Sequence, residues 1–199
     1  MYQFDFSGGN VCLDFVNTLG DRPRCQEEQL ASWRDVVNWA SQAGIVSKRA
    51  AASLQAATEA RGDHTDGAFA RAIALRECLY RIFQAVAAGR TPARPDLTVL
   101  NEALASVMRH ARVEPHGRDF VWGWADGDSS INRLLWPVVR AAGELLVSPD
   151  RARVRECASG VCSWLFIDRS PTQRRRWCSM KTCGNRDKVR RFYERKRLE

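Results

Sequence analysis

Four cysteines in the C-terminal part of the sequence constrain its fold more than any other feature. Cys157, Cys162, Cys178 and Cys183 form two pairs, each enclosing four residues, with fifteen residues between the pairs. Each pair can fold as a knuckle that presents two sulfurs, and the intervening loop can bring both knuckles around one divalent metal. Because four protein ligands leave no open coordination position, such a metal would be structural rather than catalytic.

The stretch between the pairs predicts a β-hairpin. Residues 163–168 alternate aromatic and aliphatic side chains, which is typical of a strand. Ser170-Pro171 then supplies a turn, and residues 174–178 return as the second strand.

Beyond the last cysteine, Gly184-Asn185 predicts a tight turn into a helix that carries Val189, Phe192 and Tyr193 on one face. The start of that helix favours the negative charge of the Cys183 thiolate. We therefore predict a treble-clef-like finger over residues 151–199, built from a knuckle, a hairpin and a closing helix.

The tetrapeptide Cys183-Gly184-Asn185-Arg186 resembles the CGNR zinc-finger family of bacterial proteins, which is named after it. Trp164-Leu165-Phe166 and Trp177-Cys178-Ser179-Met180 extend the resemblance, which runs from about Arg153 onward. It implies that the four cysteines hold one structural zinc ion. It also implies a DNA-binding C-terminal module in a transcription regulator.

Charge is unevenly placed along the chain. Residues 151–199 contain 15 Lys or Arg and 5 Asp or Glu, a net charge of +10, whereas residues 1–150 carry a net charge of −2. A patch of one sign attracts polyanions, so nucleic acid is the predicted partner. The resemblance to the CGNR family implies that duplex DNA is the favoured one. The alternative is that the charge run forms only a solvated helix face.

Basic residues of the finger are the candidate nucleic-acid contacts. They are Arg174, Arg175, Arg176, Arg186, Lys188, Arg190, Arg191, Arg195 and Arg197. For Arg186 a structural role, orienting the metal site through Asp168 or backbone carbonyls, is an equal alternative. We expect the finger to fold only with its metal, around a small core. That core is predicted to contain Trp164, Phe166, Trp177, Val189 and Phe192.

The N-terminal part resembles the ABATE domain, the module that commonly precedes a CGNR finger. The resemblance lies in Gly8-Gly9 followed by the stretch from Cys12 to Thr18. We expect residues 1–150 to sense a ligand or to mediate self-association, and the resemblance implies sensing. Asp14 and Asn17 lie on one face of a helix that Asn10 can cap, and could line a ligand pocket. We favour the interpretation that they hydrogen-bond nearby backbone.

Helical periodicity dominates the rest of residues 1–150. The patterns predict a short strand at Phe4 and Phe6 and a loop at 62–67. They also predict a helix capped by Asp96 with Met108 inward. A hairpin over 112–125 would carry Phe120, Trp122 and Trp124 on one face, which we expect helices to cover. The next predicted helix is capped by Ser129 or Ser130 and ends at Ser148-Pro149-Asp150. Pro137 would either kink this helix or delay its start. The predicted fold class is therefore α+β: a mainly helical N-terminal domain, 1–150, and the finger, 151–199.

Other features narrow the function. No apolar run approaches the length that spans a membrane, so we expect a cytoplasmic protein. Nucleophile elbows, dinucleotide fingerprints and phosphate-binding loops are absent from the sequence, and we expect no enzyme. Cys12, Cys25 and Cys78 are interpreted as ordinary thiols, with redox sensing at Cys25 as the alternative. The alternative functions are a zinc-finger adaptor for protein partners and an RNA-binding protein. Homo-oligomers are possible in each case.

Overall fold

Helices carry most of the fold, and the strands form separate two-stranded antiparallel pairs. The computed structural model describes residues 2–22, 24, 27–59, 64–125 and 131–197. In order, the elements are α1 (Val11–Val16), β1 (Leu19–Gly20), β2 (Glu27–Glu28), α2 (Trp33–Gln42), α3 (Lys48–Glu59), α4 (His64–Ala87), α5 (Arg94–Met108), β3 (Ala111–His116), β4 (Asp119–Trp124), α6 (Trp136–Val147), β5 (Val154–Glu156), β6 (Leu165–Ile167) and α7 (Asn185–Lys196). This confirms the predicted α+β class. Among the described helices, none is both long and apolar enough to cross a membrane. Cys25, Ser129 and Ser130 lie outside the described residues.

The main core forms where α1, α2, α4 and α6 bring their apolar faces together. The short helix α1 lies almost entirely inside it, and the rings of Phe15 and Trp39 are 5.0 Å apart. The predicted cap at Asn10 is confirmed, because its side chain accepts a hydrogen bond from the Cys12 amide at 3.0 Å. Burial of these faces is the main source of stability for the helical body.

Several predicted boundaries in this body are wrong. No strand forms at Phe4 and Phe6, where the Phe4 amide donates instead to the Gln42 side chain at 3.1 Å. The predicted loop at 62–67 gives way to α4 from residue 64 onward. Helix α5 begins two residues before Asp96, which lies in its first turn rather than at its cap. Met108 is 46% exposed instead of facing inward.

Pro137 delays a helix rather than kinking it. Residues Ile131–Leu135 form a 3₁₀ turn, and α6 starts at Trp136 with the proline in its first turn, where the missing amide hydrogen costs nothing. The end of α6 at Ser148 agrees with the sequence pattern.

The predicted β3–β4 hairpin is confirmed, but its aromatic face is mostly uncovered. Trp124 packs edge-on against Trp136 at 5.4 Å, as expected of a covered residue. Phe120 is 74% exposed and Trp122 is 42% exposed, with the Arg140 guanidinium 5.0 Å from the Trp122 ring. The expectation that helices cover this face is therefore wrong for two of its three aromatics.

Strand β6 joins the finger to the helical body. One edge of β6 pairs with β5, and along its other edge the amide of Ile167 donates to the carbonyl of Gly8 at 2.9 Å. Beside that bond, Asn17 donates its Nδ2 to the Leu165 carbonyl and accepts the Leu165 amide through Oδ1, both at 2.8 Å. The buried residues Val154, Leu165 and Ile167 belong to the main core. The two predicted parts of the chain thus share one core, while their boundary at residue 150 stays a prediction.

The interpretation of Asp14 and Asn17 as structural residues is confirmed. Asn17 acts as a backbone-like partner for β6, and Asp14 accepts the Gly8 amide at 2.8 Å. Burial raises the pKa of Asp14 to about 7, although this hydrogen bond opposes the shift.

We expect Asn17→Leu to lower the free energy of unfolding by about 2 kcal/mol or more, because it leaves a buried amide and carbonyl of Leu165 without partners. Urea unfolding of the zinc-loaded chain measures the loss. Asn38→Leu is the matched control, since Asn38 is only half-buried and accepts a single side-chain bond from Gln55 at 2.8 Å. Equal losses in the two variants would contradict the role assigned to Asn17.

Candidate metal centre and basic surface

Local turns place the four cysteines at one point of the finger. Cys157 directly follows β5. Cys162 ends a turn in which its own amide donates to the Ser159 carbonyl at 3.2 Å. Cys178 follows an irregular segment, and Cys183 lies in the π-helical turn Met180–Gly184 that leads into α7. All four sulfurs are within 4.8 Å of one another, and all four cysteines are buried. The chain therefore brings together the ligands that the spacing predicted.

The sulfur geometry fits a tetrahedral zinc site. Zinc–sulfur bonds of about 2.3 Å require sulfurs about 3.8 Å apart. Cys162 and Cys178 have their Sγ atoms 3.6 Å apart, and those of Cys178 and Cys183 are 3.7 Å apart. The Cys178 amide donates to the Cys157 sulfur at 3.5 Å, a bond that stabilises a thiolate.

Electrostatics also favours a bound dication here. Hydrogen bonds from the Cys162 and Cys178 thiols lower the pKa of Cys157. The same hydrogen bonds raise the pKa values of Cys162 and Cys178, because each of these thiols keeps the proton that it donates to the Cys157 thiolate. A divalent cation offsets the repulsion among the thiolates, so that all four sulfurs can ionise and bind it.

The predicted hairpin of the finger is wrong in its pairing. Strand β6 pairs with β5, which precedes it, instead of residues 174–178. The buried Asp168 holds the returning segment by accepting the amides of Ser170 at 2.9 Å and Arg175 at 2.8 Å. The Arg176 carbonyl also accepts the Ala158 amide at 2.8 Å. The Asp168 carboxylate thus bonds both sides of the turn, and residues 174–178 do not pair with β6 as a strand.

Arg175 has the orienting role that the sequence suggested for Arg186. Its guanidinium donates to the carbonyls of Trp177, at 2.9 Å, and Cys178, and lies 4.5 Å from the Phe166 ring. Asp168 is occupied by Ser170 and Arg175, so the route from Arg186 through Asp168 is not used. Sequence reasoning missed this role because three consecutive arginines look alike in a basic run.

Gly184 lies in helical backbone rather than in a turn. Its backbone is helical, with φ −65°, so the predicted Gly184-Asn185 turn is wrong. A Cβ atom at this position would come within 2.8 Å of the Met180 sulfur. Met180 is exposed, so its flexible side chain could move to make room, and the π-helical turn of Cys183 continues directly into α7.

The small core beside the metal site is confirmed only in part. Phe166 is buried with the cysteines, and Trp164 and Trp177 pack against this cluster. Val189 is 48% exposed and Phe192 54% exposed, so their assignment to the core is wrong. Both side chains lie on the solvent-facing surface of α7.

Most of the candidate nucleic-acid contacts are exposed. Those on or beside α7 are Arg186, Lys188, Arg190, Arg191, Arg195 and Arg197, and those before the third cysteine are Arg174 and Arg176. Asp187, which is buried in the first turn of α7, pairs with Arg190 at 2.8 Å and with Arg191 at 2.9 Å. It fixes both guanidinium groups at the base of the helix, and sequence reasoning did not single it out.

The sequence model of the ABATE family, described as "Putative stress-induced transcription regulator", matches residues 9–149, more than half of the chain. The chain belongs to the ABATE family. The model of the CGNR zinc finger matches residues 153–196 of this ABATE-family protein. No curated protein matches the chain. The CGNR match and the clustered sulfurs identify its cofactor as one structural zinc ion.

Proposed function

We propose that this ABATE-family protein is a cytoplasmic, non-catalytic transcription regulator that binds duplex DNA through its zinc finger. Zinc would act structurally, and basic side chains of α7 would contact DNA phosphates. Residues 1–150 would sense a ligand or mediate self-association.

The presentation of α7 is the observation that supports this proposal. The helix packs mainly against the turn Met180–Gly184, and its residues from Lys188 onward are exposed. Twelve residues give it a length of about 18 Å, and a helix of this diameter fits the major groove. Zinc and the cysteines hold its base, so the cationic face is presented in a fixed orientation.

Lys188 and Arg195 are the best pair for a test, because seven residues place them on one face of α7. Neither forms an ion pair within the described part of the chain, unlike Arg190 and Arg191. We expect Lys188→Gln/Arg195→Gln to bind a duplex at least tenfold more weakly at moderate salt. The slope of log K against log salt should fall by about 0.9 for each phosphate that the variant no longer neutralises.

Arg90→Gln/Arg94→Gln is the matched control, since it removes the same charge from exposed positions outside the finger. Both double variants should keep one zinc per chain. If all three proteins bind DNA with the same affinity and slope, α7 is not the DNA contact. Retained zinc with no nucleic-acid binding would favour the adaptor for protein partners.

Exposed aromatics on α7 support RNA as a second candidate. Phe192 and Tyr193 are 54% and 61% exposed, and their rings are 5.6 Å apart in an edge-on arrangement. Such rings can stack on unpaired bases. Competition between a single-stranded RNA and a duplex DNA distinguishes the candidates, and Phe192→Ser should weaken only RNA binding.

A further inference from the structure

A groove of about 530 Å³ lies between α4, α5 and the start of α6, away from the finger. Its apolar lining includes Leu75, Cys78, Val99, Val107, Trp136 and Val139. Small-molecule sites have volumes of about 300 to 1,000 Å³ and are lined mainly by such side chains. The groove therefore has the size and lining of a site for a small apolar ligand.

Among the described residues that line the groove, a single cation without an ion pair gives it a polarity. Arg71 and Arg81 both line it from α4, and their ten-residue separation spans about 15 Å along the helix. Arg81 is already neutralised, because its Nε donates to both Asp96 oxygens at 3.0 and 3.1 Å. Arg71 has no ion pair or hydrogen bond with any residue that the structure describes. Within the described part of the chain, the Arg71 end of the groove therefore carries a positive charge that no carboxylate neutralises.

We propose that this groove binds an amphipathic carboxylate, with its apolar chain along α4 and α5 and its head group on Arg71. An extended medium-length acyl chain matches the distance between the two arginines. An exposed guanidinium at one end favours a single anionic head, since the other end offers a paired arginine. The proposal goes beyond DNA binding and names a ligand class for the sensing role of residues 1–150.

Helix α4 connects this groove to the finger. The side of α4 that faces away from Arg71 carries Glu77, which pairs with Arg22, and Tyr80, whose hydroxyl donates to Glu156 at 3.4 Å. Glu156 immediately precedes the metal-binding Cys157. A ligand that moves α4 would therefore displace residues next to the zinc site.

Calorimetry of the zinc-loaded full chain with decanoate, in the absence of nucleic acid, tests the proposal. We expect saturable binding of one decanoate per chain. Octanoate should bind about fifteenfold more weakly, because each buried methylene contributes about fourfold. Decanol should bind the wild-type chain about tenfold more weakly than decanoate does, because it lacks the carboxylate of the charged hydrogen bond. Decanoate should bind Arg71→Gln about tenfold more weakly than the wild type, because that variant lacks the guanidinium.

Ala74→Phe should fill the groove and abolish binding, whereas Ala70→Phe, an exposed change outside the lining of the groove, should leave it intact. Equal affinity for decanoate and decyltrimethylammonium would overturn the proposal, as would unchanged decanoate binding by Arg71→Gln. A dimer in sedimentation that Ala74→Phe dissociates would assign the groove to a second copy and also overturn it. Because no nucleic acid is present, the result is independent of whether α7 binds DNA.

Discussion

Cys178→Ser should release zinc and lower the melting temperature of the whole chain rather than of the finger alone. The sulfur of Cys178 is the one that lies 3.6 and 3.7 Å from those of Cys162 and Cys183. A serine hydroxyl is a poor replacement for a thiolate at a zinc site. Structural zinc sites contribute about 10 kcal/mol or more to folding, which is comparable to the total stability of a domain.

The shared core is the reason to expect an effect beyond the finger. If the finger and the helical body had separate cores, the body would stay intact without metal. In the structure, Leu165 and Ile167 of β6 are buried against the body, and β6 lies between the two pairs of cysteines. A finger that loses its metal would withdraw these residues from the core.

Zinc content by mass spectrometry and calorimetric melting check this prediction. Cys78→Ser is the control, because Cys78 is buried in α4, outside the sulfur cluster. It should keep one zinc ion per chain. Full zinc occupancy in Cys178→Ser would contradict the ligand set, and an unchanged main transition after zinc loss would contradict the shared core.

Arg76→Met should destabilise the chain by about 2 to 3 kcal/mol, the second large effect that we expect, because it removes three charged hydrogen bonds from partly solvated carboxylates. Arg76 is 1% exposed in the middle of α4. Its two Nη atoms bond the two Glu28 oxygens at 2.6 Å each, and its Nε bonds Glu77 at 2.9 Å. Methionine fills similar space but leaves the two carboxylates without their common partner.

The destabilisation should also depend on pH. Burial opposes ionisation of Glu77, but hydrogen bonds and charges from Arg22 and Arg76 hold its pKa below the ordinary value. Because the folded-state pKa is depressed, this stabilisation is present above the unfolded pKa and is lost as pH falls through the folded value. The difference between Arg76→Met and the wild type should therefore shrink toward acidic pH.

Arg81→Met provides the matched control for urea unfolding at neutral and acidic pH. Arg81 lies on the same helix and pairs with Asp96, but its side chain is 55% exposed. The Asp96 side chain is only 13% exposed, but it lies in the first turn of α5, where the helix dipole stabilises a carboxylate without Arg81. Because solvent already reaches the guanidinium, this variant should lose only about 1 kcal/mol. Similar losses for Arg81→Met and Arg76→Met would show that the buried network has no special role.

Short-range patterns were enough to predict the metal ligands and many of the helices. The cysteine spacing brought four sulfurs together, and Asn10 capped α1, because both depend on a few neighbouring residues. Pairing between distant segments was not predictable in this way. Strand β6 has short candidate partners on both sides in sequence, and the choice of β5 depends on Gly8 and Asn17, far away in the chain.

Burial of individual side chains was the other limit. Val189 and Phe192 have helical spacing, which predicts a shared face but does not say whether another element covers it. Arg76 gave no signal, because a single arginine in a long helix looks like any solvated residue. Its importance comes from Glu28, which a separate turn of the chain brings to it.

The bond between Asn17 and Leu165 has a consequence for how the protein is made. These residues are 148 positions apart, so a ribosome adds Asn17 long before it adds the strand that Asn17 must hold. Until then, α1 lies beside a core that lacks β6, and the side-chain amide of Asn17 has no native partner. Completion of the core must wait for late synthesis, a delay that raises the exposure of the nascent chain to aggregation and to chaperones.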